Sequence, residues 1–423
     1  MGPAAVWMAG NAFDLRLPNI QFPVIGAVAW IGITFLAHIV IGAWSMGVVI
    51  IAPTCELIGV IRKDPRWDRY AYAISSVNVK LFSLGAVLAS FAVFSLTGLY
   101  PNAFIRLMTL FFWPMLYAFL SWFVTFAALL IYVTRWERWR EHKRRHIATG
   151  YVGGVVEQSF LFFIVGLDSY MLTPGAGIGL SAFFNASYWP ELLHRFVGNL
   201  SWASYAIAAV YIATAALRWE HRDAPYYRWA AKLAMTTGFV FLVPQAVIGF
   251  LYAESIRQAS PGAFSYSFTG GMAWMWIVQQ ALLGVVLLGT NVYLWQTRER
   301  PHPLAPALTA ATAFCSLLSA LPSAVYPGGV FWVRYVFMGL SVLLTLSHLV
   351  LWKPWLRPPR PDLNRVARWV VGTGAVTAVL LFLLMGIVRE TTKMAGRQYT
   401  VYGKATQSES QNMFTPPSTR FYP

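Results

Sequence analysis

Two histidines, His38 and His194, interrupt long apolar stretches, ITFLAHIVIGAWSMGVVIIA and WPELLHRFVGNLSWASYAIAAVYIATAAL. His142, His146, His221 and His302 instead fall in basic segments and are expected to be solvated. An ionisable group inside a membrane span is costly, so it is rare and usually functional. Imidazole is a frequent ligand of heme iron, so this placement points first to an electron-carrying cytochrome. Each residue also has a plainer reading. His38 can pack and bond a neighbouring carbonyl, and Gly42, Ser45 and Gly47 leave room for either a second helix or a flat macrocycle. His194 follows Trp189, Pro190 and Glu191 at a helix start, where an interfacial imidazole can simply reach water. His348 reads as a core histidine or as the reach toward a second porphyrin.

These side chains must be positioned by membrane helices. The chain has 423 residues, 57% hydrophobic and only 11% charged, against roughly 25% charged in soluble proteins. Apolar runs near the length of a bilayer core recur throughout. Ten spans are expected, at about 24–52, 80–99, 108–133, 151–172, 196–217, 233–252, 271–296, 306–325, 331–352 and 369–388. The fold class is therefore an all-α polytopic bundle. The segments RKDPRWDR, TRWERWREHKRRH, RWEHRDAPYYRWAAK, TRERPHP and KPWLRPPRPDLNRVAR hold most of the 32 Lys and Arg. The intervening loops hold single charges such as Arg106, Arg195, Arg257 and Arg334. By the positive-inside rule the basic loops face the cytoplasm and both termini the periplasm. The net charge of +16 is thereby explained without nucleic acid. The N-terminal stretch lacks a basic start and an unbroken apolar core, so no cleavable signal peptide is expected. Cys55 and Cys315 form no CxxC or CxxCH motif, which leaves disulfides, zinc and covalent heme c without support. No internal repeat is visible. Residues 1–398 read as the bundle, and 399–423 as a polar periplasmic tail that orders on a partner.

The ordered motifs resemble subunit I of the cytochrome bd quinol oxidases over most of the chain. His38 and Gly47 match that family's first-span histidine and the glycine nine residues on. NVKLFSLGAVLASFAVFSLTG is similar to its second span, with the pattern GKLFGINFALGVATG, and QSFLFFIVGLDSYMLTPGAG to the segment ending in GWMQNP. ELLHRFVGNLSWASYAI resembles the segment bearing the low-spin heme histidine, which here is His194. FWVRYVFMGLSVLLTLSHLVLW carries Arg334 and Trp352 at the family spacing, and GRQYT, Gly396–Thr400, resembles the signature GRQPW, bringing Arg397 with it. The resemblance implies heme b ligated by His38 and His194, one to three hemes in all, and a quinone as substrate.

Departures from the family are as informative. Its third span carries two glutamates for oxygen chemistry and protons. Here Trp113 and Ser121 stand in the corresponding places and TLFFWPMLYAFLSWFVTFAALLIYV has no acid, so neither heme d nor ordinary oxidase activity is expected. The methionine paired with His194 should fall at Val336; Met338 is a displaced sixth ligand or a packing residue. Met394 replaces the acid before GRQ, and Glu390 one turn earlier either meets a heme or faces water. The long quinol loop is replaced by AESIRQASPGAFSYSFTGG, in which Glu254 and Arg257 either serve quinol deprotonation or form a solvated turn. Glu157 and Asp168 are intramembrane acids suited to a proton path or to offsetting Arg334.

Two classes of function remain. One is a heme b electron-transfer subunit in the bacterial inner membrane, placed among other membrane subunits between the quinone pool and a periplasmic cytochrome c or iron–sulfur protein, with a bd-type quinol:oxygen oxidoreductase as its variant. The other is a heme-free quinone-binding anchor or transporter, against which the lack of repeats and of paired broken helices counts.

Overall fold

The computed structural model describes residues 26–175, 179–217, 221–296, 302–322, 325, 332–352, 365–393 and 399–411. These fold into helices and one small hairpin. In chain order the helices are α1 Gly26–Arg62, α2 Pro65–Leu99, α3 Pro101–Leu110, α4 Phe112–Thr134, α5 Lys143–Leu172, α6 Leu180–Phe183 and α7 Tyr188–Leu217. They continue as α8 Ala224–Ala259, α9 Pro261–Phe268, α10 Ala273–Gln296, α11 Ala305–Ser319, α12 Trp332–Trp352 and α13 Arg365–Lys393. Strands β1 Tyr399–Val401 and β2 Ala405–Thr406 pair antiparallel and lead into α14 Gln407–Gln411.

Nine of the described helices are long and apolar enough to cross a membrane. The expected eighth span is the exception. Its helix, α11, stops at Ser319 after 15 residues, about 22 Å of rise against a hydrocarbon core of about 30 Å. Pro322 accounts for the early end, because the residue before a proline is driven out of helical conformation.

Several segments expected as loops are helical. The basic turn after the first span closes on Lys63, whose φ of 53° takes the left-handed conformation that ends α1. Asp64 then caps α2 by accepting from the Arg66 backbone N–H, and Pro65 sits at the first helical position. The connector after the sixth span becomes the end of α8 followed by α9, which starts at Pro261.

The core gathers around α1, α2, α7 and α8, where Trp44, Val48, Tyr70, Ala203, Tyr205 and Phe239 are buried. Small residues set the closest crossings, as membrane helices require in the absence of a hydrophobic drive between them. A Cβ on Gly47 would lie 2.5 Å from the Ala203 Cβ, so α1 and α7 meet there backbone to backbone.

The stretch 399–411 packs on the bundle. Tyr402 N–H donates to the Met171 carbonyl at 2.9 Å, Asn102 donates to the Glu409 carbonyl at 2.7 Å, and Val401 and Ala405 are buried. The expectation that the tail orders only on a partner is thus corrected for this stretch: two apolar side chains and two cross-element hydrogen bonds anchor it. Residues 412–423 lie outside the described residues.

Candidate functional site

A cavity of about 1620 Å³ runs through the bundle, larger than the 300–1,000 Å³ typical of small-ligand sites. Its walls bring together His38 on α1, His194 on α7, Met338 on α12 and Glu390 on α13. Four residues singled out on three separate grounds in the sequence thus share one space.

The two imidazoles are held differently. His38 Nδ1 lies 3.0 Å from the Gly85 carbonyl of α2. A carbonyl can only accept, so Nδ1 carries the proton and Nε2 keeps the lone pair, the arrangement by which a backbone carbonyl orients a metal-binding histidine. His194 leans against Tyr252 of α8, ring centroids 5.8 Å apart. A Cβ on Gly249 would come within 3.4 Å of its Cε1, so α8 leaves the ring just enough room. Its Nδ1 is buried and has no hydrogen-bond partner among the described residues. Leaving a buried polar group unsatisfied costs about 1–3 kcal/mol, a reason to expect a ligand there. Gly42 and Gly339 line the cavity, and a Cβ at either would meet nothing within 4 Å, so the wall is open beside His38 and Met338. Two imidazoles with available nitrogens, a buried thioether and flat glycine surfaces fit heme.

Around His194 stands a charged cluster: Asp168, Arg195 and Glu390 each stand out in the sequence, but their pairing with one another through Glu191 and Arg389 does not. Arg195 pairs with Asp168 and, at 3.1 Å, with Glu191. Arg389 reaches Asp168 at 2.6 Å, Glu191 at 2.5 Å and Glu390 at 3.3 Å. Tyr252 donates to Glu191 at 2.9 Å. Glu191, His194 and Arg195 occupy one turn of α7, so the helix itself brings the imidazole to these charges. In a low-dielectric setting such groups persist only when each is paired, as here. The cluster brings two guanidinium groups that could also hold carboxylate side arms of a bound group, and a hydroxyl–carboxylate pair that could take up a proton. The signals in the sequence are Asp168 within an apolar run, suited to offsetting an arginine, and Arg389 and Glu191 at the ends of such runs.

Other expected residues lie elsewhere. Glu254 and Arg257 pair with each other at 2.5–2.7 Å at the end of α8 and do not line the cavity. His348 Nδ1 bonds Asn291 Oδ1 at 2.8 Å inside a network with Thr345, which is the core-histidine arrangement. Trp113 is 75% exposed and points out of the bundle, while Ser121 is buried and bonded to its own helix at Ala118. Arg334 is buried in α12. Met394 and Arg397 lie outside the described residues.

His146 overturns its expectation of solvation. It is fully buried, Nδ1 at 2.8 Å from both Glu56 carboxylate oxygens and Nε2 at 2.7 Å from the Tyr132 carbonyl. The basic run surrounding it suggested water, but α5 already begins at Lys143 and turns this position inward.

The comparisons agree with this architecture. A search of curated proteins finds no match. Among solved structures, the bd oxidase from Geobacillus thermodenitrificans is similar with a TM-score of 0.63 at 17% identity, covering 91% of each chain. That identity speaks for the fold alone. The family model described as cytochrome bd terminal oxidase subunit I matches residues 29–421. The chain belongs to the cytochrome bd terminal oxidase subunit I family.

Proposed function

We propose that this chain is a heme b electron-transfer subunit linking the quinone pool to a redox partner, with His38 and His194 as iron ligands. The family makes it a multi-pass subunit of a respiratory oxidase in the bacterial inner membrane. The observation that carries the finer reading is the shared cavity, with His38 fixed in the Nε2-available tautomer and His194 Nδ1 left without a partner among the described residues. When bound, heme supplies one-electron chemistry at a potential set by its ligands and surroundings. Met338 and Glu390 are the further side chains within the same walls able to complete coordination. Arg195 and Arg389 hold negative charge at the rim, and Tyr252 with Glu191 handles the proton that leaves or joins a quinone oxygen.

The basic loops and the positive-inside rule favour a periplasmic position for the His194 end, and hence a periplasmic cytochrome c or iron–sulfur partner. In this reading residues 1–398 are the heme-binding bundle and 399–423 belong to the outer face. The bd-type quinol:oxygen oxidoreductase is a second reading, favoured by family membership and by Glu390 as an acid on the cavity wall. Pyridine hemochrome stoichiometry with reduced spectra under carbon monoxide separates the two. Heme b without a carbon monoxide shift supports electron transfer alone; a shifted heme supports oxygen reduction; absence of heme sinks both.

A further inference from the structure

Helices α7 and α8 run antiparallel and are stitched together on either side of His194. Before the histidine, Tyr252 donates to Glu191 at 2.9 Å; after it, the Ser201 hydroxyl donates to the Gly238 carbonyl at 2.8 Å. Between these two staples, Gln245 Nε2–H donates to the backbone carbonyl of His194 itself at 2.9 Å. The register is regular. Passing along α8 from Tyr252 through Gly249 and Gln245 to Gly238, one meets Glu191, His194, Gly198 and Tyr205 of α7 in turn.

A glycine makes room for the amide. A Cβ on Gly198 would stand 2.5 Å from Gln245 Nε2, so the side chain lies where α7 carries no side chain of its own. One turn away, Gly249 does the same for the imidazole ring. The histidine is therefore located by α8 twice, once through its ring and once through its backbone.

The bond also sets the direction of the amide. A carbonyl only accepts, so the nitrogen end lies on His194 and Oε1 points away from it. Gln245, Gly198 and His194 all line the cavity, and Gln245 Oε1 is buried with no hydrogen-bond partner among the described residues. A buried oxygen left without a donor is costly, and the fold tolerates few of them. A staple between helices does not require one, since Ser201 joins the same pair with a single hydroxyl. Three observations thus separate Gln245 from a staple: its bond to the carbonyl of His194, the glycine opposite it, and an orphaned oxygen on the cavity wall.

We propose that Gln245 is a positioning residue for His194, pinning the backbone that carries the imidazole while its Oε1 turns the negative end of the amide dipole to the cavity wall. The role rests on the reading that His194 ligates heme iron. Groups behind a ligand fix its orientation and tune the metal's potential. In an apolar wall the negative end of a dipole favours the more positive, oxidised state, so Gln245 holds the potential down.

The test uses the purified full-length protein in detergent. Redox titration follows the α-band that His194→Ala removes, and electron paramagnetic resonance follows the oxidised protein. Gln245→Leu should keep that heme, raise its midpoint potential and shift the low-spin g values, which report the imidazole plane. Gln245→Glu should lower the potential, and more so as rising pH ionises the carboxyl. Gly198→Ala keeps Gln245 in the chain but pushes its amide off the His194 carbonyl, so it should raise the potential as Gln245→Leu does. A residue that only staples two helices gives no such opposed shifts. Unchanged potential in Gln245→Leu overturns the role, as do shifts of one sign in Gln245→Leu and Gln245→Glu, or loss of heme from both Gln245→Leu and Gly198→Ala. Failure of the heme reading shows separately, as a parent protein that holds no heme or whose heme content is unchanged by His194→Ala.

Discussion

His194 and Tyr252 face each other across α7 and α8 with ring centroids 5.8 Å apart, and Tyr252 holds Glu191 one turn before that histidine. The imidazole is thus wedged by a ring on one side while its buried Nδ1 meets no hydrogen-bond donor or acceptor among the described residues. Heme ligation, as proposed, would give that nitrogen a partner. His194→Ala should abolish a low-spin α-band in the reduced spectrum while the protein remains inserted. His38→Ala should remove heme independently, since its ring is set by Gly85 on a different helix. Unchanged hemochrome content in both variants would refute the assignment.

Gly47 and Gly42 make a contrasting pair on α1. A Cβ on Gly47 would stand 2.6 Å from the Asn199 carbonyl, whereas one on Gly42 meets nothing within 4 Å and borders the cavity. Gly47→Val should therefore force α1 away from α7, costing about 1–3 kcal/mol and visible as a lower Tm in detergent. Gly42→Val should leave Tm near the parent value and instead perturb the heme spectrum. The reverse pattern would show that the porphyrin surface lies at Gly47.

How much of this was legible in the sequence follows from what each residue's neighbours reveal. His38 and His194 stood out because a polar group breaks an apolar run, and membrane length is itself a repeat that can be read. His146 was hidden for the opposite reason: surrounded by Arg and Lys, it looked wet, while its partner Glu56 closes an apolar stretch near the end of α1. The Arg389–Asp168 pair joins distant helices, so only tertiary packing reveals it. The eleven-residue spacing of His146, Glu157 and Asp168 was present in the sequence, and helical geometry alone placed them on one face. Glu254 and Arg257 illustrate the converse, since neighbours on one helical turn satisfied each other.

Arg389 is the hinge of the rim cluster, touching Asp168, Glu191 and Glu390 from α13. Removing one partner of a buried ion network leaves uncompensated charge, at a cost of about 3–5 kcal/mol. Arg389→Leu should lower Tm markedly and weaken heme retention. Arg389→Leu combined with Asp168→Asn should recover part of the loss, because one stranded carboxylate is then neutral. An additive double variant would mean that the two side chains do not act as a pair.

Oxygen chemistry gives a direct biochemical contrast. The cavity-facing residues of α4 are Met115, Ala118, Phe119 and Trp122, and none can deliver a proton. The purified protein is expected to show little quinol-driven oxygen uptake and no heme d band. Introducing an acid at Ser121, which is buried on α4, should raise uptake if a proton donor is what that wall lacks. Strong cyanide-resistant uptake by the parent protein would contradict this and favour the oxidase reading.

The partner question turns on the hairpin. Thr400 and Val401 line the cavity together with Gln407, while Tyr402 bonds the end of α5 at Met171. The stretch 399–411 therefore closes the cavity at the His194 end, and the proposed electron-transfer role predicts a partner docked on that side. The two parts of the tail should then separate experimentally. Deleting 412–423 should weaken co-purification of the partner and leave the heme spectrum intact, since the hairpin and its anchors remain. Deleting from Tyr399 onward should also destabilise heme, because the cavity loses a wall. Crosslinking should map the partner to the hairpin and the α7 start near Trp189, which is 53% exposed. Crosslinks confined to the basic loops, or full partner recovery after both deletions, would mean that electrons leave by the opposite face.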